Sequence, residues 1–222
     1  MKTKICLMAM LLMAIVSLNV NAQRTAISAT AGTQGLGLEL KYSPVPEYGI
    51  HGGFSILPVN TSFAFTAKST PSNVDLKADF QNAHLMFDWH PFQHAEGIRK
   101  FMLSAGGGYF WKNTGTAVIT SSETYKYGDI VIGPGDAGQL NGKVKWQRIS
   151  PYAGIGFESA IPDTKFNLGF VLGLYYLGKP ETSLTGTKLV SVDDANQEQF
   201  RKNLTDYRFL PVIQLNLNYS LN

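Results

Sequence analysis

The last ten residues of the chain, IQLNLNYSLN (213–222), alternate between apolar and polar side chains without a break. Successive side chains of a β-strand point to opposite faces, so this stretch predicts a strand with one apolar and one polar face. The polar face carries only glutamine, asparagine and serine. Such a strand is suited to lie between an apolar environment and an interior filled with small polar groups.

The same period of two recurs along the rest of the chain. Six further apolar series run from Leu36 to Tyr42, Tyr48 to Ile56, Ala83 to Trp89, Phe101 to Trp111, Ile149 to Phe157 and Phe166 to Leu174. A weaker eighth strand is predicted at Arg24 to Ala31, because Thr25, Ile27, Ala29 and Ala31 share one face. Single-chain bacterial barrels have an even number of strands, starting from eight. The pattern predicts an all-β fold, an eight-stranded antiparallel up-and-down transmembrane β-barrel.

A soluble antiparallel sandwich also alternates and is the alternative fold. Two features favour the barrel. The strands are about ten residues or longer, which matches a tilted membrane crossing. Their polar faces are rich in glycine, serine and asparagine instead of lysine and glutamate, and charged residues make up only 16% of the chain. Small polar residues are suited to a narrow lumen.

Large aromatic residues of the apolar face cluster beside short turns and the C-terminus. They are Tyr42, Tyr48, Trp89, Phe101, Phe157, Phe166 and Tyr219. Closing the strands into a cylinder brings all of them to one end. Aromatic belts mark the membrane–water interfaces of outer-membrane barrels, so these residues predict a periplasmic aromatic girdle.

Short and long connections alternate along the chain, as the periplasmic turns and extracellular loops of such barrels do. The short ones are 44–46, 90–98 and 160–164, and the long ones lie near 58–78, 113–143 and 179–207. This order places both termini in the periplasm.

Two long loops carry local structure of their own. Tyr125 to Tyr127 and Ile130 to Ile132 flank Gly128-Asp129, which predicts a β-hairpin. Residues 193–205 begin with Asp193-Asp194, and Glu198 precedes Lys202 by four, which predicts a short surface helix.

The N-terminal segment predicts export. Lys2 and Lys4 precede an apolar run from Ile5 to Leu18, and small residues end at Ala22, so residues 1–22 are expected to be a signal peptide and residues 23–222 the barrel. The single cysteine, Cys6, lies in that segment, which leaves no disulfide. A net charge of only +3 without a Lys/Arg run disfavours nucleic-acid binding.

Several segments together resemble a known family. They are GTQGLGLEL (32–40), DFQNAHLMFDWHPF (79–92), LSAGGGYF (103–110), LNGKVKWQRISPYAGIGF (140–157), LGLYYLGKPETSLT (172–185) and YRFLPVIQLNLNYSLN (207–222). In this order they resemble the small eight-stranded outer-membrane proteins typified by CarO. That family is associated with carbapenem susceptibility and with proposed uptake of ornithine and other basic amino acids, so the resemblance implies a porin-like transport role.

Charged and polar side chains are predicted to line the lumen. They are Glu39, Lys41, His84, Asp88, Arg148, Tyr152 and Tyr175. Eight strands enclose little more than their own side chains, so these charges must pair. They form either a salt-bridged plug that stabilises the barrel or a selectivity site for a small charged solute.

Other motifs do not support a metal site, a phosphate-binding loop or a catalytic site. His90 and His94 are four apart, but Pro91 makes the segment a turn, so no metal site is predicted. The run 106–108 of three glycines lacks the lysine and helix of a phosphate loop. Serines and histidines of the strands face the lumen and no G-x-S-x-G motif occurs, so neither enzymatic activity nor a cofactor is expected.

Two functions remain open from the sequence. One is narrow, selective, porin-like passage of small solutes such as amino acids. The other is a non-transporting structural or surface-binding role. In either case the expected location is the cell outer membrane of a Gram-negative bacterium. The expected partners are outer-membrane lipid, the outer-membrane assembly machinery and, for transport, small charged solutes, and the protein is expected to be a monomer.

Processing of the signal peptide can be tested directly. We predict that the membrane-extracted protein begins at Gln23, because the Asn21-Ala22 boundary has the small residue that signal peptidase requires. N-terminal sequencing checks this, and recovery of Met1 on the membrane-inserted protein would contradict it.

Overall fold

The computed structural model describes residues 25–67, 70–159 and 164–221. The predicted signal peptide, Arg24 and most of the predicted turn at 160–164 lie outside these ranges. The elements, in chain order, are β1 (Thr25–Gly32), β2 (Gly35–Val45), β3 (Tyr48–Ala67), β4 (Thr70–Trp89), β5 (Phe101–Ser121), β6 (Tyr125–Tyr127), β7 (Ile130–Ile132), β8 (Gln139–Lys145), β9 (Ile149–Phe157), β10 (Phe166–Tyr176), β11 (Glu181–Gly186), α1 (Asp194–Leu204) and β12 (Phe209–Ser220).

Eight of these strands close into a ring. Its order is β1-β2-β3-β4-β5-β9-β10-β12, each pair is antiparallel, and β12 returns to β1. The closing pair is in register from Ala26 opposite Ser220 to Gly32 opposite Gln214. The predicted eight-stranded up-and-down barrel is confirmed, including its weak first strand. Among the described residues, the chain has no helix that is both long and apolar enough to cross a membrane.

Burial alternates along the ring strands as the sequence pattern predicts. On β12, Ile213, Leu215 and Leu217 are 47–61% exposed, whereas Gln214 and Asn216 are buried. The outward leucines, isoleucines and phenylalanines of the other strands are exposed in the same way. Soluble monomers rarely expose so large a contiguous apolar surface. A continuous apolar belt around a polar interior is the pattern of a lipid-facing barrel.

Three ring strands extend well beyond the barrel. β3, β4 and β5 have 20, 20 and 21 residues, about twice what one membrane crossing needs. β8 pairs with the far half of β5, and β11 pairs with β8, so a five-stranded sheet continues past the ring on the long-loop side. We call this sheet the extension.

The extension corrects the expected long loop near 58–78. Pairing of β3 with β4 continues to Ala67 opposite Thr70, so the segment is a regular hairpin. The physical reason is that alternation persists there. Val74 is buried, while its neighbours Asn73 and Asp75 are more exposed, which keeps the two faces distinct.

The outward face changes character where the extension begins. Trp111 donates from Nε1 to Oε1 of Gln81 (2.7 Å), and Lys112 pairs with Asp79 (2.8 Å). Beyond this level the outward side chains of the extension are mostly polar, with Val118 as an apolar exception; the polar ones are Asn60, Ser62, Asp75, Lys77, Thr116, Asn141, Lys143, Ser183 and Thr185. The change from apolar to polar marks one edge of the lipid-facing belt.

The predicted hairpin and helix are both present. β6 pairs with β7 across Gly128-Asp129, and Gly128 has φ +61°, which favours glycine. Asp193 caps α1 by accepting from the backbone N–H of Asn196 (2.7 Å). Hydrogen bonds that Arg201 donates to Glu198 lower the pKa of that carboxyl group.

The lipid-facing belt can be tested by comparing two outward positions. We predict that Leu215→Arg destabilises the barrel by about 2–4 kcal/mol, because it places a charge near the bilayer midplane. Thr185→Arg, outward and exposed on the extension, should change the unfolding free energy by less than about 1 kcal/mol. Reversible urea unfolding in liposomes measures both, and equal costs would show that the belt is not in contact with lipid.

Candidate functional site in the barrel lumen

Aromatic rings fill the lumen on the long-loop side. The Tyr175 ring centre lies 4.8 Å from that of Tyr152 and 5.3 Å from that of Phe110, and all three side chains are buried. A Cβ atom at Gly173 would clash with the Tyr152 hydroxyl oxygen. Glycine at that position of β10 is what lets the Tyr152 ring cross the lumen. We call these three side chains the aromatic plug.

A layer of charged side chains lies between the aromatic plug and the short-turn end. At its centre is Lys41, whose Nζ donates a short hydrogen bond to Oε1 of Glu158 and lies 3.6 Å from Oε2 of Glu39. The Glu39 and Glu158 side chains are 2% and 4% exposed. One ammonium group therefore pairs with two buried carboxylates, one on β2 and one just after the end of β9.

Amide side chains complete the partners of these carboxylates. Nδ2 of Asn216 donates to Oε2 of Glu158 (2.6 Å), and Nε2 of Gln214 donates to Oε1 of Glu39 (3.0 Å). Gln34 in turn donates to Oε1 of Gln214 (3.2 Å). These bonds run from the β1–β2 turn across β12 to the end of β9, so polar groups connect strands on different sides of the ring.

Two histidines stand on the same layer. Nδ1 of His51 lies 2.6 Å from Oδ2 of Asp88. Nδ1 of His84 lies 3.1 Å from Oδ1 of Asn82, and its Nε2 lies 3.3 Å from Oε1 of Glu39. We call Glu39, Lys41, His51, His84, Asp88 and Glu158 the charged layer.

Six of the seven predicted lumen residues point into the barrel, and one does not. The six are Glu39, Lys41, His84, Asp88, Tyr152 and Tyr175. Arg148 is instead exposed and lies just before β9. The chain leaves its strand at 146–148, between β8 and β9, so the alternation that predicted an inward side chain does not run through this bend.

Glu158 belongs to the charged layer but was not among the lumen residues predicted from the sequence. It follows the last residue of β9, yet it keeps the inward parity of Tyr152 and Gly156. That parity was the available signal. His51 was expected to face the lumen, but its pairing with Asp88 depends on the register of β3 against β4.

The predicted aromatic girdle residues lie outward near the short turns. Phe101 contacts Phe157 with ring centres 5.7 Å apart, and Phe166 contacts Tyr219 at 5.1 Å. Tyr42, Tyr48 and Trp89 are 38–45% exposed.

A second group of outward aromatics lies at the opposite edge of the apolar belt. It comprises Tyr109, Trp111, Tyr176 and Phe209. Two aromatic groups that flank an apolar belt are typical of membrane barrels.

The turn histidines do not come together. His90 is buried, and its Nε2 lies 3.1 Å from the backbone oxygen of Glu158. His94 is 88% exposed and lies 3.7 Å from Glu47. Because their partners belong to different parts of the chain, the two histidine side chains do not share a ligand.

Comparison with known proteins shows what the fold is similar to. A crystal structure of Acinetobacter baumannii CarO2 superposes with a TM-score of 0.65 at 18% identity, covering 88% of this chain and 97% of that one. A crystal structure of A. baumannii CarO gives 0.61 at 23% identity, covering 89% and 97%. No protein-family model matches the chain, and no curated protein matches it in sequence. The resemblance to CarO is confirmed at the level of the fold.

The pairing in the charged layer predicts that Lys41 contributes strongly to the stability of the barrel. Replacing it in Lys41→Met leaves Glu39 and Glu158 without their shared cation, which should destabilise the barrel by about 3–5 kcal/mol. The double variant Lys41→Met/Glu158→Gln should recover part of that loss. Lys112→Met, which breaks the exposed pair with Asp79, should cost less than about 1 kcal/mol.

Urea unfolding in detergent micelles measures all three variants. Similar small losses for Lys41→Met and Lys112→Met would show that the lumen charges are solvated by water instead of paired.

Proposed function

We propose that this chain is an outer-membrane barrel of a Gram-negative bacterium whose lumen is closed at rest and admits small cationic solutes, such as basic amino acids, by a narrow and selective route. The observation that carries the proposal is the charged layer inside a ring with an apolar outer belt. Small polar side chains would fill such a lumen at lower cost than buried charges. The fold itself therefore does not require these buried charges. Their presence favours a role in recognising a charged solute.

The sign of the charged layer favours a cation. Among the lumen residues that the structure describes, three carboxylates (Glu39, Asp88 and Glu158) face one ammonium group, that of Lys41. A solute with an amino group could replace Lys41 on either carboxylate. Passage also requires the aromatic plug to move, because its rings fill the lumen above the charged layer. Transport by this route is slow and selective.

We propose that the solute first binds on the surface of the extension. A groove of about 610 Å³ lies on its outward face, and its lining includes Asp75, Lys77, Asn141 and Lys143. We propose that the extension is extracellular. This orientation puts the short turns, the start of β1 and the end of β12 in the periplasm. The ring closes within one chain, which supports a monomer.

The same groove favours a second candidate function. If the aromatic plug never moves, the protein is a non-transporting barrel that binds a polar partner at its extension. Neither candidate includes a covalent step.

Two adjacent tyrosines allow a matched test of the route. Tyr175 is fully buried in the aromatic plug, and Tyr176 is 42% exposed on the outside. In planar bilayers and lysine-loaded liposomes, we expect little conductance and slow lysine flux from the native protein. Tyr175→Ala should raise lysine flux more than glutamate flux, because it opens the plug above a negative layer, and Tyr176→Ala should not.

Two outcomes separate the candidates. Large, steady and unselective conductance of the native protein would contradict the closed lumen. Absence of lysine flux from both the native protein and Tyr175→Ala would favour the non-transporting barrel.

Replacing residues 122–138 by a short Gly-Ser linker should leave folding intact, since β5 ends at Ser121 and β8 begins at Gln139.

A further inference from the structure

Glu39, His51 and His84 converge inside the charged layer. Each offers one ligand atom, and these atoms lie within 4.8 Å of one another. A small cavity of about 20 Å³ adjoins all three side chains. A space of this size holds one water molecule or one ion. From this geometry we infer a binding site for one divalent transition-metal ion of the zinc type in the barrel lumen, a role that goes beyond solute passage.

The tautomers of the two histidines are set by their neighbours. Nδ1 of His51 faces the Asp88 carboxylate at 2.6 Å, and Nδ1 of His84 faces the amide oxygen of Asn82 at 3.1 Å. Both partner atoms are acceptors, so each Nδ1 carries the proton. In the neutral rings the lone pairs are then on Nε2. Outer carboxylate and amide partners orient metal-binding histidines in this way.

Unpartnered polar atoms point to the same place. Nε2 of His84 and Oε2 of Glu39 are buried without a hydrogen-bond partner of acceptable geometry, although Nζ of Lys41 lies 3.6 Å from Oε2, and both side chains are 2% exposed. Buried polar atoms in native proteins normally have partners. The 3.3 Å between Nε2 of His84 and Oε1 of Glu39 equals the separation of about 3.3 Å that two ligands of a tetrahedral zinc ion adopt. One ion would satisfy both side chains.

Charge balance supports an ion of charge +2. Lys41 is the one ammonium group among the described residues of the charged layer, against the carboxylates of Glu39, Asp88 and Glu158. His90 lies beside Glu158 but contacts its backbone oxygen. When both histidines are neutral, as metal ligands must be, the layer carries two uncompensated negative charges in a closed lumen. A divalent cation compensates both, and two histidine nitrogens with one carboxylate are a donor set that zinc takes in proteins.

The test uses the full-length barrel without a histidine tag, stripped with chelator in urea and refolded in detergent. Zinc is present during refolding in one sample and added afterwards in the other, because the aromatic plug restricts entry to the folded lumen. Bound zinc is counted by elemental analysis after gel filtration, and affinity is measured by competition with a fluorescent chelator. Visible absorption of bound cobalt reports the geometry of the site.

We expect one zinc ion per chain after refolding with the metal. His84→Gln and His51→Gln should weaken binding by about 100-fold or more, and Asp88→Asn by about 10–100-fold, as loss of an outer-shell partner does. The matched control is His94→Gln, since His94 is exposed on the turn and should leave binding unchanged. Heat-dependent gel mobility and circular dichroism verify that each variant is folded.

Other outcomes overturn the site. Failure of the folded native protein to retain zinc or cobalt in either protocol would show that the lumen does not bind a divalent ion. Stoichiometric binding that His94→Gln abolishes, or that His84→Gln leaves unchanged, would place the ion elsewhere. Lysine flux measured on the same preparations is a separate readout, so loss of the metal site and loss of the transport proposal can be told apart.

Discussion

Closure of the ring by β1 against β12 is the constraint on which the rest of the structure depends. Inside a bilayer, backbone N–H and C=O groups cannot bond to water, so a spanning sheet must have no free edge. With eight strands, closure fixes a diameter at which side chains fill the interior. The apolar belt, the polar lumen and the aromatic plug are therefore consequences of one pairing between the first and last strands of the barrel, in register from Ala26 to Gly32.

Burying charges in a filled lumen costs free energy, and this cost links the fold to the proposed function. Glu39 and Glu158 are nearly without exposure, so each must find a cation or a hydrogen-bond donor inside the ring. Lys41, Asn216 and Gln214 provide part of this compensation. The remaining negative charge is what can attract a cationic solute or a divalent metal ion. These two uses are compatible, because Lys41 lies nearest to Oε2 of Glu39 and His84 lies nearest to Oε1.

Alternation of side chains was enough to predict the ring strands, their faces and the aromatic residues at the short-turn end. Contacts between strands far apart in sequence could not be predicted in this way. Lys41 and Glu158 are 117 positions apart, and Glu39 and Gln214 are 175 apart, so their meeting depends on stagger around the closed ring. The extension was missed because polar outward residues look the same in a loop and in a solvated strand. Arg148 was misplaced because a bend interrupts the alternation on which its assignment rested.

Whether side chains fill the lumen can be measured by the access of a chemical reagent to a lumen thiol. The chain has one cysteine, Cys6, which lies in the predicted signal peptide, so Ser104→Cys in the mature barrel introduces a single thiol. Ser104 is 3% exposed and lines the cavity beside Glu39 and His84. We predict that a small, charged methanethiosulfonate reagent fails to modify this thiol in the folded barrel and modifies it rapidly after unfolding in urea. Rapid modification in the folded barrel would show an open, water-filled lumen and would contradict a lumen filled by side chains.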